Sequence, residues 1–279
     1  MPEGDTIFRA ARTLHRALAG HPVVRFESVF PHLTRVHEDA PITGRTVREV
    51  RAAGKHVLME FSGDLVLRTH MRMNGSWHIY RPGEKWQRSR RSLRILVGTA
   101  DYEAIAFDIQ VAEWLQGKQI QRQEDLRRIG PDLLGASFDA AEATRRIRAR
   151  GASEIADVLL NQRVVAGIGN VYKSEVLFAC GVNPFTHVAE VSDDQLACLL
   201  ATARRFLQAN VTEALAPMTT YTGFRRTTGR VNLKERLWVY GRAGDPCRKC
   251  GTPVSLRAQG RDARLTYWCS TCQPLSAAS

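Results

Sequence analysis

Two closely spaced cysteine pairs near the end of the chain carry the most specific chemistry in the sequence. Cys247 and Cys250 form one CxxC unit, Cys269 and Cys272 another, and 18 residues separate the two. Such knuckles close one tetrahedral site in which thiolate fills every position, so the ion expected there is a structural Zn2+. Disulfides would use the same residues, but the rest of the chain reads as intracellular, where thiols stay reduced. Arg257, Arg261 and Arg264, with Thr266, Tyr267 and Trp268, lie between the knuckles. They read as a two-stranded ribbon, either a folding staple or a tip that lies against a DNA groove. A second constellation is Gly167-Ile168-Gly169-Asn170. Glycines at a helix entrance let backbone N–H groups meet an anion, and Asn170 at the cap position would add its amide. Any capped helix shows a similar pattern. The third constellation lies at the start. Removal of Met1 would leave Pro2 as a secondary amine with a reference pKa of about 8, partly neutral at physiological pH. Such an amine attacks carbon at the aldehyde oxidation level to give an iminium. Glu3 beside it can act as a general acid, provided burial raises its pKa. Without context, a terminal Pro-Glu is common and mostly inert.

Residues 5–19 predict a helix capped by Asp5 or Thr6, with Ile7, Ala10, Ala11, Leu14 and Leu18 at helical spacing and Gly20 and Pro22 ending it. VVRFESVF, TVREV, HVLMEF, LVLRTHM, SWHIY, LRILVG and EAIAFDI then read as short strands, a sandwich or barrel ending near residue 115. From about residue 122 the spacing turns helical in DAAEATRRIRAR, SEIADVLLNQ, NVYKSEVLFA and SDDQLACLLATARRFLQANV. Arg145, Arg146, Arg148 and Arg150 read as a solvated face, and Cys180 and Cys198 as buried free thiols. TTYTGFRRTTGR, polar and turn-rich, is a candidate mobile loop. The 279 residues suffice for about two domains with their own cores. A formal charge of +12 suits a polyanion such as nucleic acid, or merely a basic enzyme. No run of 18 apolar residues spans a membrane, and the N-terminus lacks a signal-type arrangement, so the cytoplasm or nucleoid is expected.

Taken in order, MPEGDT, the GKH around Lys55, the GIGN ending in Asn170 and the terminal four-cysteine ribbon resemble the formamidopyrimidine-DNA glycosylase and endonuclease VIII family over essentially the whole chain. The resemblance implies an α+β multidomain fold: an N-terminal catalytic β-sandwich with a flanking helix (2–115), a helical helix-two-turn-helix domain (122–215) and a C-terminal β-ribbon zinc finger (238–273). It implies a monomeric base excision repair enzyme acting on double-stranded DNA that contains oxidised bases or abasic sites. Pro2 would attack C1′ of a flipped nucleotide, Glu3 would serve as acid, and elimination would cut the strand. Lys55 matches the family's hairpin lysine, which contacts phosphate and assists proton transfer. Arg264 matches the finger arginine, and Asn170 and Arg128 match further phosphate-binding residues. An extruded base leaves a gap to fill. In HMRMNGSW, Arg72, Met73 and Asn74 occupy a turn, and Met73 is either the inserted wedge or a core methionine.

The family divides by lesion. The purine branch typically begins PELPE and carries an Arg-Phe pair after the strand that here reads AIAFDIQVAEWL, whereas this chain begins PEGDT and has Ile109, Gln110 and Val111 there. Both departures favour the endonuclease VIII side and oxidised pyrimidines. The alternatives are an oxidised-purine glycosylase and a non-catalytic zinc-containing DNA-binding protein, which would have no need to keep Pro2, Glu3 and Lys55 together.

Overall fold

Ile7, Leu14 and Leu18 recur on one side of helix α1 (Gly4–Leu18), and all three are buried against the strands that follow. The helix begins one residue earlier than its sequence signals suggest. Glu3 is its cap, while Asp5 and Thr6 lie inside the first turn with buried side chains, Asp5 paired to Arg9 at 3.2 Å. Neither is a solvent-facing cap, because the first turn is itself packed into the core.

The computed structural model describes residues 2–116, 124–212, 225–228, 230, 232 and 234–275. Among these, the residues up to Arg128 form one compact unit and those from Ile129 onward a second. Most of TTYTGFRRTTGR, residues 219–224 and 229, lies outside the described residues.

The first unit is a sandwich of two antiparallel four-stranded sheets. One sheet runs β1 (Arg25–Ser28), β6 (Leu93–Gly98), β7 (Glu103–Phe107), β5 (Ser76–Tyr80), and the other β2 (Val47–Ala53), β3 (His56–Phe61), β4 (Leu65–His70), β8 (Val111–Gln116). Val57, Met59, Phe61, Leu67, Trp77, Ile79, Ile95, Val97 and Ala106 fill the space between them, alternating with outward residues as the two-residue period of a strand requires. Two elements escape a sequence reading: helix α2 (Pro31–Asp39), a nine-residue helix that buries Leu33, and strand β8 as a separate element. A short helix α3 (Glu124–Arg127) lays Leu126 on Leu58, Val66 and Leu115.

The second unit contains α4 (Ala140–Arg148), α5 (Ile155–Leu160), α6 (Asn170–Ala179) and α7 (Asp193–Thr212), and the antiparallel ribbon β9 (Ser255–Gln259) with β10 (Arg264–Trp268). Its core gathers Ile147, Ile155, Leu159, Ile168, Tyr172, Leu177, Leu196 and Leu207. Residues 170–178 of α6 are buried throughout, so this helix is surrounded rather than half-exposed. Cys180 and Cys198 are not free thiols. The end of α6 lies beside α7, their Cα atoms are 6.0 Å apart, and the sulfurs are joined. Nor is the arginine run simply solvated. Arg145 and Arg146 pair with Glu142, whereas Arg148 donates to the carbonyls of Val188 and Val191.

Candidate active site and metal centre

In the first unit, Pro2 opens onto a cavity of about 910 Å3 whose wall includes Met73, Asn74, Ser76, His78, Arg88 and Gln110. The next residue, Glu3, is fully buried and caps the head of α1. The cavity therefore has Pro2 at its edge, and the buried carboxyl group of Glu3 follows it directly in the chain.

The turn from Met71 to Gly75 carries the chain from one sheet to the other and forms part of that wall. Its geometry is tight. The Gly75 amide donates to the Met71 carbonyl at 2.9 Å, and a Cβ on Gly75 would stand 2.5 Å from that oxygen, so only glycine fits. Arg72 adopts a left-handed φ of 52°, a conformation that costs a non-glycine residue about 1 kcal/mol or more and is characteristic of functional turns. Met73 is 56% exposed, which removes the core-methionine reading of this residue. Asp108, also left-handed, lines the cavity and accepts from Arg88 at 2.7 Å.

Lys55 stands in the two-residue turn between β2 and β3, beside Gly54, whose positive φ the turn requires. The same end of this sheet gathers two histidines and Arg72. His56 and His70 are cross-strand partners with ring centroids 4.8 Å apart, and the His70 Nδ1 accepts the Arg72 amide at 3.0 Å. Burial, together with the charges of Arg72, Lys55 and Arg68, brings His70 down to a pKa of about 4. His70 is thus neutral at physiological pH, and Lys55 and Arg72 provide the positive charge here. Arg128 is half-exposed and paired with Glu124 one helical turn before it.

In the second unit, Asn170 is the first residue of α6, and Gly169 occupies the cap position expected of Asn170. Its side chain is 5% exposed and turns inward. The amide donates to the Leu265 carbonyl at 2.8 Å, and its oxygen accepts from Lys173 Nζ at 2.8 Å. Lys173 donates further to Thr266 Oγ1 at 2.7 Å, and Thr266 to Gln259 at 2.8 Å, so one polar network ties α6 to both strands of the ribbon. Arg264 begins β10, half-exposed, with Asp262 at 3.6 Å. A second tie is Glu175, fully buried on α6. It accepts the backbone N–H groups of Trp238, Val239 and Tyr240 at 2.8 to 2.9 Å and the Thr227 hydroxyl. Lys173 and Glu175 escaped the sequence reading. Their signal was two charged residues inside NVYKSEVLFA, a segment otherwise apolar enough to be buried all round.

The four cysteines converge. Their sulfurs all lie within 4.8 Å of one another, with Cys250 to Cys269 at 3.4 Å and Cys247 to Cys272 at 3.9 Å. Zn–S bonds of about 2.3 Å in a tetrahedron place sulfurs about 3.8 Å apart, so the donor set fits an ion of that size. Four thiolates would leave it no open position.

Comparison with known proteins follows the same division. Residues 1–130 match the model of the formamidopyrimidine-DNA glycosylase N-terminal domain, and residues 129–221 that of the formamidopyrimidine-DNA glycosylase H2TH domain. The chain is 41% identical over 276 residues to a protein of Streptomyces coelicolor named probable endonuclease 8 2, covering 98% of this chain and 94% of that one. It is 35% identical to the DNA-(apurinic or apyrimidinic site) lyase Nei2 of Mycolicibacterium smegmatis, covering 99% and 100%. Among solved structures, that of the Lactococcus lactis Fpg in complex with abasic-site DNA superposes with a TM-score of 0.82 at 22% identity, covering 98% of this chain and all of that one, a likeness of fold.

Proposed function

The chain belongs to the formamidopyrimidine-DNA glycosylase and endonuclease VIII family, on the endonuclease VIII-like side, and from that premise we propose how it works as a glycosylase and abasic-site lyase of DNA repair. The observation that carries the mechanism is Pro2 at the edge of the 910 Å3 cavity, with Glu3 buried behind it. Once Met1 is removed, the Pro2 nitrogen lone pair attacks C1′ of an extruded nucleotide. The bond from C1′ to the base breaks, and the base leaves with the bonding pair. Glu3 supplies a proton to the sugar ring oxygen or the departing base, and the ring opens to an iminium. Loss of a C2′ proton into that electron sink expels the 3′ phosphate, and a second elimination can expel the 5′ phosphate.

Around this step, Lys55 and Arg72 supply positive charge to the DNA backbone, with Arg128, Asn170 and Arg264 as further phosphate contacts, and Met73 enters the stack vacated by the base. Asn170 serves chiefly by holding the Leu265 carbonyl, and with it the ribbon that carries Arg264. The metal is one structural Zn2+, held by Cys247, Cys250, Cys269 and Cys272, and it supplies folding energy to the ribbon. The substrate is double-stranded DNA with oxidised pyrimidines. Ile109 is buried and Gln110 lines the cavity where the purine branch has its Arg-Phe pair, so that pair's wedge is missing from this side. The protein acts as a monomer in the cytoplasm. No helix among the described residues is long and apolar enough to cross a membrane.

Borohydride reduces an iminium to a stable amine. Protein freed of Met1 is therefore expected to be trapped covalently on duplex DNA carrying an abasic site, and Pro2→Gly to lose trapping on the order of 1000-fold. Equal trapping of the variant, or none with the processed wild-type protein, overturns the role of Pro2.

A further inference from the structure

Ser76, His78 and Tyr80 alternate along β5, so the two-residue period of a strand puts them on one face while Trp77 and Ile79 point into the sandwich core. Ser76 and His78 both line the Pro2 cavity. The three side chains are joined in series. The Gln87 backbone N–H donates to the Tyr80 hydroxyl at 3.0 Å, that oxygen lies 3.1 Å from His78 Nδ1, and His78 Nε2 lies 2.9 Å from Ser76 Oγ.

Proton accounting gives this series a direction. The buried phenol already accepts from Gln87, and its own proton needs an acceptor, which His78 Nδ1 provides. A neutral His78 then carries its proton on Nε2 and donates it to Ser76. The ring is neutral because burial and the charge of Arg88 lower its pKa to about 4, and it packs edge-on against Phe107 with centroids 5.0 Å apart. Ser76 Oγ is thereby an acceptor toward His78, and its hydroxyl proton is left to point away from the ring, on the cavity side.

We propose that Ser76 reads the damaged base: its hydroxyl is a preset donor that binds an acceptor oxygen, the exocyclic carbonyl of an oxidised pyrimidine, with His78 and Tyr80 as positioning residues. The inference rests on the role proposed for Pro2, since that role brings the reacting nucleotide to this cavity. A donor fixed from behind favours a carbonyl over an amino group at the same place, because a carbonyl accepts the outward hydroxyl proton, whereas an N–H would meet that proton and be left with the second lone pair of an oxygen that already accepts from His78.

The same acceptor chemistry exists on the sugar-phosphate backbone, and the two sources separate by substrate. Base excision from a duplex containing thymine glycol requires the base, whereas strand cleavage and borohydride trapping at a preformed abasic site do not. For Ser76→Ala, the ratio of the first rate to the second is expected to fall about tenfold, the worth of one substrate hydrogen bond, and Ser76→Thr to restore it. Tyr80→Phe is expected to lower the ratio about threefold and to redistribute the His78 ring proton between its nitrogens, visible in 15N imidazole shifts, which a space-filling tyrosine would not change. An unchanged ratio for Ser76→Ala overturns the proposal. So does an equal fall in both rates, which would assign the hydroxyl to the backbone or to the fold. Failure of the wild-type protein to trap would remove the role of Pro2, and this inference with it.

Discussion

The two units use buried polar groups in opposite ways. In the second, Asn170, Lys173, Thr266 and Gln259 satisfy one another, and Glu175 closes four donors around itself, so polar side chains serve as internal fasteners between α6 and the ribbon segment. In the first, Pro2, Met73 and Ser76 stand at an open cavity, beside or on a turn that holds Arg72 in a left-handed conformation and carries Met73. A network closed on itself contributes stability and position. A set facing open space contributes little stability and retains its capacity to bind. Changes in the second unit should therefore appear first as unfolding, and changes around the cavity as lost chemistry.

The largest effect expected is loss of the metal. Chelation, or Cys247→Ala, should unfold the ribbon and abolish DNA binding while the β-sheet circular dichroism of the sandwich persists, since structural zinc supplies about 10 kcal/mol or more. A ribbon that keeps its protease resistance without metal would break the contrast. Next is Glu175→Ala, which leaves three backbone N–H groups and a hydroxyl buried without their acceptor. It should cost about 3 kcal/mol, read from the urea midpoint. Met73→Ala tests the other side. The side chain is exposed, so stability should stay within about 0.5 kcal/mol, while excision of an oxidised base falls about tenfold through loss of the inserted wedge. A large drop in stability would make Met73 a packing residue after all.

The smallest effect is one of pH. His70 and His78 are both lowered to about 4 by burial and neighbouring cations. The unfolded chain takes up their protons at about 6.5, so between the two values it binds more protons than the native state. Stability from these sites is complete above about pH 6.5 and is lost as pH falls toward 4, about 1 kcal/mol apiece after solvent screening. Histidine NMR should find both rings neutral at about pH 5.5. A midpoint near the ordinary value for either would show that water reaches the ring.

Much of this was legible in the sequence where the signal is local. The strands of the sandwich alternate with a period of two, α6 and α7 repeat at three and four residues, and the CxxC pairs carry their spacing on the surface of the sequence. The failures share a cause. Asp5 and Thr6 look like helix caps because their chemistry suits a cap, but the first turn is buried and Glu3 takes that place. Asn170 looks like a cap for the same reason, yet Gly169 takes that place and the Asn170 amide donates to a carbonyl 95 residues away. Cys180 and Cys198 read as separate thiols until helix packing brings them together. Ser76, His78 and Tyr80 did leave a trace, polar residues at every second position of SWHIY, but alternation alone does not tell an exposed face from a cavity wall.

The sequence by itself determined the chemistry the protein can perform. A proline at residue 2 that becomes a secondary amine once Met1 is removed, a carboxyl group beside it and four cysteines in two pairs are written in the chain, and their order along it was enough to identify the family. Only the tertiary structure decided which polar groups remain available for that chemistry. Whether a side chain such as Asn170, Glu175 or Ser76 binds its own protein or something from outside depends on what lies opposite it in space, and that partner is set by strand pairing and helix packing between residues far apart in sequence.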